Sequence, residues 1–266
     1  MDDPNEHIMY LTKSSQYGSI SHSHGDQNAF MLHAFGEPLA IHSGYYVAFN
    51  STMHMNWRRQ TISKNAILID GKGQFADKDK FIAMEANGKI EAVEDHENYA
   101  YIRSNATNAY QYHVPYLKKF VRETYFVNNS YFVLIDTIDL EQPGKVDWLL
   151  HSLHEMKIKH QSFLLEGEKA TLEGKFVYCS SGELEVNQYN DYPGVDLREI
   201  EGLPIHWRLQ AQTNKATRHR IVTLLHPMKK QQPKYVSYFM DDQDHGLQFY
   251  FTENNKTFRI EVAKVY

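Results

Sequence analysis

Tyr17-Gly-Ser-Ile-Ser-His-Ser-His-Gly-Asp-Gln-Asn-Ala-Phe30 runs directly into Met31-Leu32. Two His, one Asp, one Gln and one Asn crowd into seven positions, and an apolar strand-like run follows at once. If His22 and His24 are extended they project from the same face, because strand side chains alternate. Two imidazoles on one face suit a metal ion, or a proton donor beside a charge-neutralising group. The spacing alone is equally compatible with solvated histidines on a strand edge.

Working outward, the chain reads as short apolar segments broken by turn formers. Ile8–Thr12 precedes the stretch, and Phe30–Phe35 and Leu39–His42 follow it, joined through Gly36-Glu-Pro38. Ser43 to Lys64 is a long polar and aromatic loop, and loops of that length in a compact domain are usually functional or disordered. Ala66–Asp70, Ile90–Val93, Tyr99–Arg103, Lys118–Val127 and Tyr131–Ile138 come next, the last two joined by a hairpin over Val127–Tyr131. Val146–Leu153, Ala170–Tyr178, Glu183–Gln188, His206–Gln212, Arg220–Leu225, Val236–Met240, Leu247–Phe251 and Thr257–Val262 continue the pattern. Val, Ile, Tyr, Phe and Thr dominate these segments, as strands favour. No long helical periodicity appears, and Asp77–Asn87 is the best candidate for a short helix. The expectation is an all-β protein, a large antiparallel β-sandwich with few short helices. Residues 1–7 read as a tail or linker and residues 8–266 as the sandwich, a division that two packed sub-sheets would also satisfy.

Composition narrows the function classes. With 42% hydrophobic and 23% charged residues the chain is an ordinary folded protein, not a disordered one. A net charge of -5 gives no case for nucleic acid. No apolar run approaches the roughly 20 residues of a membrane-spanning helix. The single cysteine, Cys179, cannot form an internal disulfide, which leaves the compartment open between bacterial periplasm and cytoplasm. The acidic, polar start Met1-Asp-Asp-Pro-Asn-Glu-His7 is not a signal peptide.

Tyr17–Phe30 resembles the signature of the heparinase II/III-like polysaccharide lyases, YGSISHSHADQNSF, and departs from it only at Gly25 and Ala29. The resemblance extends through Gly36–Tyr46, Trp57-Arg-Arg-Gln-Thr61, Asn65–Gln74 and Trp148-Leu-Leu-His151. Within the family, Trp57–Thr61 and the Ser63-Lys-Asn65 turn look closest to oligoalginate lyases. The resemblance implies a C-terminal β-sandwich that normally follows a helical α/α-toroid domain, so this chain is expected to be the C-terminal part of a longer protein. It also implies cleavage of a uronic-acid oligosaccharide or polysaccharide by β-elimination, with alginate oligosaccharides trimmed from an end as the first expectation. Heparin or heparan sulfate is the alternative substrate, and a non-catalytic carbohydrate-binding or scaffolding sandwich is the alternative of another class. A stand-alone metal-binding domain is a further one.

In that chemistry a proton leaves C5 beside a carboxylate, and the carboxylate charge must be neutralised for the carbanion to form. By resemblance His22 is the catalytic histidine. Gln27, Asn28, Tyr45, Arg58 and Arg59 are candidate substrate-binding residues; Asp26, Gln27 and Asn28 are suited first to holding the turn and orienting the histidines. The guanidiniums suit uronate carboxylates, although surface pairing with a nearby acid fits them equally. Tyr45, Tyr46 and Trp57 suit stacking on sugar rings or burial in the sandwich. Zinc is implied at His24, with His42 where the family has Asp and Lys64 where it commonly has His. A lysine ammonium has no lone pair for a metal, so His54 is the candidate replacement and His24, His42 and His54 the candidate set. The family's tyrosine base belongs to the toroid, and no helical segment here is expected to supply it.

Overall fold

The structure is a computed structural model that describes residues 3–18, 22, 24–232, 234–243 and 246–263. In chain order the strands are β1 (Ile8–Lys13), β2 (Ala29–Ala34), β3 (Glu37–Ala40), β4 (Ile67–Ile69), β5 (Lys89–Asp95) and β6 (Tyr99–Asn105). They continue with β7 (Leu117–Val127), β8 (Tyr131–Gly144), β9 (Val146–Ser152), β10 (Met156–Lys159), β11 (Ser162–Glu166) and β12 (Ala170–Cys179). The last six are β13 (Glu185–Tyr189), β14 (Trp207–Gln212), β15 (Ala216–Lys229), β16 (Ser237–Gln243), β17 (Gly246–Glu253) and β18 (Lys256–Val262). Two short helices interrupt them, α1 (Lys80–Glu85) and α2 (Thr107–Gln111). The predicted all-β antiparallel sandwich is what forms. The helix expected within 77–87 is α1, started by Asp79, whose carboxylate accepts the amides of Phe81 and Ile82.

Eight antiparallel strands in the order β10-β11-β12-β15-β8-β7-β6-β5 make the central sheet. Its middle strands are buried on both faces, and their sequence says so. Along β8, Phe132, Leu134 and Ile138 point into one core cluster and Tyr131, Val133 and Ile135 into another. Along β15, Ile221 and Leu225 alternate with Val222 and Leu224 in the same way. Such strands lose the apolar/polar alternation of a half-solvated sheet and read as continuous apolar runs.

The larger core lies between the central sheet and two smaller ones, β1-β2-β3 and β13-β14-β9-β4. The other face is covered by β16-β17-β18, through Leu247, Phe249, Phe251, Ile260 and Val262. Three layers result. The loop expected over Ser43–Lys64 departs from β3 and contains a π-helical turn, Met53–Arg58, and a short 3-10 turn, Thr61–Ser63. No helix among the described residues is long and apolar enough to cross a membrane.

Candidate active site

The signature stretch is anchored by its buried end. Asn28 adopts a left-handed backbone (φ 58°), which Asn tolerates better than most residues. Its Nδ2 donates to the Ser104 carbonyl (3.2 Å) and its own carbonyl accepts from Arg122 Nη1 (2.8 Å). Arg122 also donates to the Asn65 carbonyl and grips Asp136 with two bonds of 2.7 and 2.9 Å. Both partners are essentially unexposed, and Trp148 Nε1 supplies a further donor to Asp136 at 3.1 Å. A buried ion pair survives only when its remaining polar atoms are satisfied in this way.

Gln27 is fully buried. Its Oε1 accepts the Ser15 amide (2.7 Å) and its Nε2 donates to the Tyr17 carbonyl (3.2 Å). Gln74 holds the backbone of Gln27 on both sides, accepting its N–H and donating to its carbonyl, each at 2.8 Å. The expectation that Gln27 and Asn28 bind substrate is therefore corrected. Neither side chain reaches solvent; Gln27 fixes the turn through both ends of its amide, and Asn28 through its Nδ2 and its carbonyl.

Above this base the signature is stitched to the long loop. The Gly25 amide donates to the Arg59 carbonyl (2.8 Å), and the Thr61 hydroxyl donates to the Gly25 carbonyl (2.9 Å). A Cβ at Gly25 would meet the Thr61 hydroxyl at 2.9 Å and the Gln74 and Ala76 side chains at 3.3 Å, which accounts for glycine at one of the two departures from the signature. Arg59 is buried and donates to the carbonyls of Ala76 (3.0 Å) and Asp77 (3.4 Å). Arg59 as an exposed carboxylate binder is a second correction: the residue is buried, and its Nε and Nη2 donate to main-chain carbonyls among the described residues.

The far side of the loop rests on residues 190–206. Glu199 accepts the amides of Thr52 and Met53, and Met53, Trp57, Tyr192 and Ile200 form a separate apolar cluster. Trp57 donates to the Ser43 hydroxyl (3.1 Å), so it is core and not a sugar platform. Tyr45 donates to the Pro204 carbonyl (2.6 Å) and packs on His206, leaving its ring half-buried. The Glu199 and Tyr192 supports were not marked by any motif.

What remains open to solvent is compact. His22 lies in an exposed turn, its ring 6.1 Å from that of Phe49, which in turn lies 5.0 Å from buried His54. Arg58 is half-buried, its guanidinium 4.5 Å from the centre of the exposed Tyr46 ring and 3.3 Å from His24 Nε2. The stretch is not a strand at His22 or His24, since β2 begins at Ala29, and Ser19–Ser21 and Ser23 lie outside the described residues. The two histidines consequently meet different neighbours.

Burial, followed by the charges of Lys64 and Arg58, pushes His24 down to about 2, and burial with Lys64 takes His42 down to about 3. Both imidazoles are neutral near neutrality. Lys64 is fully buried, donates to the Arg58 carbonyl (2.7 Å), and is pulled down to about 7 by burial against the support of Asp26. Asp26 is itself paired with Lys13.

The expected metal set, His24, His42 and His54, does not assemble. His54 Nδ1 accepts the Asn50 amide (3.1 Å) while its ring packs on Phe49, and His24 is engaged by Arg58. Among the described residues no three His, Cys, Asp or Glu side chains converge to hold a metal. With an ammonium and a guanidinium beside His24, the residues present do not fit zinc.

The family profile described as "Heparinase II/III-like, C-terminal" matches residues 4–237. The chain belongs to that family. As a heparinase II/III-like domain it is similar to heparan sulfate lyase HepC from Pedobacter heparinus, with a TM-score of 0.72 at 16% identity over 97% of this chain and 40% of that one. A heparinase III gene product with methylated lysines matches with a TM-score of 0.73 at 18% identity, over 98% of this chain and 39% of the other. A further heparinase III structure gives 0.70 at 14% identity, over 97% and 40%. Likeness at these identities is likeness of fold. This heparinase II/III-like chain spans about two-fifths of the length of those solved chains. No curated protein sequence matches it.

Proposed function

We propose that this chain is the sandwich part of a polysaccharide lyase that cleaves a uronic-acid polymer by β-elimination. The observation that carries the reading is the exposed His22 imidazole next to a base of buried Gln27, Asn28 and Gln74, in a chain of the heparinase II/III-like family. In the reaction the C5–H bond breaks, its electrons form the C4=C5 double bond, and the C4–O bond breaks, with a proton passing to the departing oxygen. His22 moves a proton at C5 or at that oxygen. Arg58, held by Tyr46 and His24, offers a guanidinium to the uronate carboxylate and so lowers the cost of charge building at C5. Tyr46 and Phe49 are the exposed rings on which sugar faces rest. The remaining catalytic groups belong to an upstream helical domain, a reading supported by the two-fifths coverage of the solved chains.

For the polymer, a heparan-type glycosaminoglycan is the first choice, supported by structural neighbours named as a heparan sulfate lyase and as heparinase III. Alginate oligosaccharide is the second, supported by the Trp57–Thr61 segment and the Ser63-Lys-Asn65 turn. The test is ultraviolet absorbance of the unsaturated uronate end, on heparan sulfate and on alginate oligosaccharides. The chain is expressed with any segment that precedes it in the native protein, beside a His22→Ala version. Absorbance on one polymer that vanishes in the variant is the expected result. Silence on both polymers with sugar binding retained overturns the lyase reading in favour of a binding module.

A further inference from the structure

Lys64 is the feature of the site that the proposed reaction does not use. It is a lysine with no exposed surface, and it lies beneath the signature turn. Its ammonium donates to the Arg58 carbonyl at 2.7 Å. The Ser43 amide donates to the Ser63 carbonyl and the Ile41 amide to the His151 carbonyl, which ties the backbone on either side of His42 to His151 and to the residue before Lys64. Arg58, whose carbonyl Lys64 holds, meets His24 Nε2 at 3.3 Å, and His151 Nδ1 lies 3.2 Å from Oδ1 of the next residue, Asn65, so three histidines are tied to the segment that carries Lys64. His42 Nε2 is buried without a hydrogen-bond partner among the described residues, so nitrogen suited to a cation is present in the pocket.

We propose that Lys64 is the resident cation of this histidine pocket and that the pocket is closed to divalent metal for that reason. Zinc needs converging lone pairs, and an ammonium at the position of a third ligand offers three N–H donors and none. A second cation of charge two beside a buried ammonium is also repelled strongly, since the interior screens charge poorly. Arg58 adds a further positive charge next to His24. Asp26, which supports the charge on Lys64, is already paired with Lys13.

The test measures metal content and does not depend on activity. Wild type, Lys64→His and Lys64→Met chains are incubated with zinc sulfate at about pH 6, where the Lys64 ammonium keeps its proton, dialysed, and analysed by plasma mass spectrometry. Zinc affinity is measured separately by calorimetry. Wild type is expected to retain far less than one equivalent, and its melting temperature is expected to be indifferent to EDTA. Lys64→His is expected to gain about one zinc per chain and a zinc-dependent rise in melting temperature. Lys64→Met keeps the length of the side chain and loses the charge, so it is expected to bind zinc at least ~10-fold more tightly than wild type. It decides the matter if Lys64→His does not fold. One zinc retained by wild type and lost in His24→Ala overturns the proposal. So does a Lys64→Met chain with the zinc affinity of wild type.

Discussion

Arg122 and Asp136 share two hydrogen bonds where neither meets water, and the free edge of the same guanidinium holds the carbonyls of Asn28 and Asn65. The pair thus couples adjacent strands β7 and β8 of the central sheet to the two ends of the site, the signature turn and the start of β4. Asp136→Asn leaves a buried guanidinium without its counter-charge, and is expected to cost about 3–5 kcal/mol. Urea unfolding of the variant checks it; an unchanged midpoint would show that the pair is dispensable.

Gln74 offers a milder version of the same experiment. Its loss leaves the Gln27 N–H and carbonyl buried without their partners, so Gln74→Ala is expected to destabilise by about 1–3 kcal/mol. Turnover should fall as well, since the turn that carries His22 loses its fixed base. Thermal unfolding and the uronate absorbance assay on one preparation read both effects.

His22 should separate chemistry from folding. It is exposed and sits at a turn, so His22→Ala is expected to leave the melting temperature within error of wild type. The rate should drop by roughly 10²–10⁴ if it moves a proton in the elimination. Initial rates on the preferred polymer, beside binding measured by calorimetry, distinguish lost catalysis from lost affinity.

Acid should weaken the fold earlier than its carboxylates alone would. Burial holds His206 and His226 down to about 4 and His42 to about 3, against 6.5 in the unfolded chain. Between those values the unfolded chain binds protons that the folded chain refuses, so stability is complete above pH 6.5 and falls as pH drops toward 4. Each unit of difference amounts to about 1.4 kcal/mol at most. Urea midpoints measured at intervals from pH 7.5 to 4.5 should decline steadily; a flat profile to pH 5 would contradict the buried, neutral state of these rings.

The fold was legible wherever apolar side chains alternate or run together, as in β8 and β15. It was not legible at β10 and β11, which were not anticipated. In β10 Met156 and Ile158 turn to the core and Lys157 and Lys159 to solvent, but alternation over four or five residues is too short to stand out from a loop. The two-residue connection at His160-Gln161, with His160 in the left-handed region, is the signal that was available. The helical turns at 53–58 and 107–111 were likewise hidden, being too short for a periodicity to show.

At the site, the resemblance located the segment, but residue type could not separate polar side chains that face substrate from those that face main chain. Gln27, Asn28 and Arg59 find backbone donors and carbonyls inside the protein, and that pairing is set by loops distant in sequence. Lys64 stood out as a mismatch with the family pattern, but its complete burial came only from packing.

The two-sided burial of the central sheet also bears on how the chain is made. β15 pairs with β8, about eighty residues earlier, and the outer faces of both strands are covered by β17 and β18 near the C-terminal end. During synthesis Val133, Ile135, Val222 and Leu224 stay bare until those last hairpins leave the ribosome. A sheet of such distant pairings forms slowly, and a nascent chain holding an uncovered apolar face for that interval is a client for chaperones.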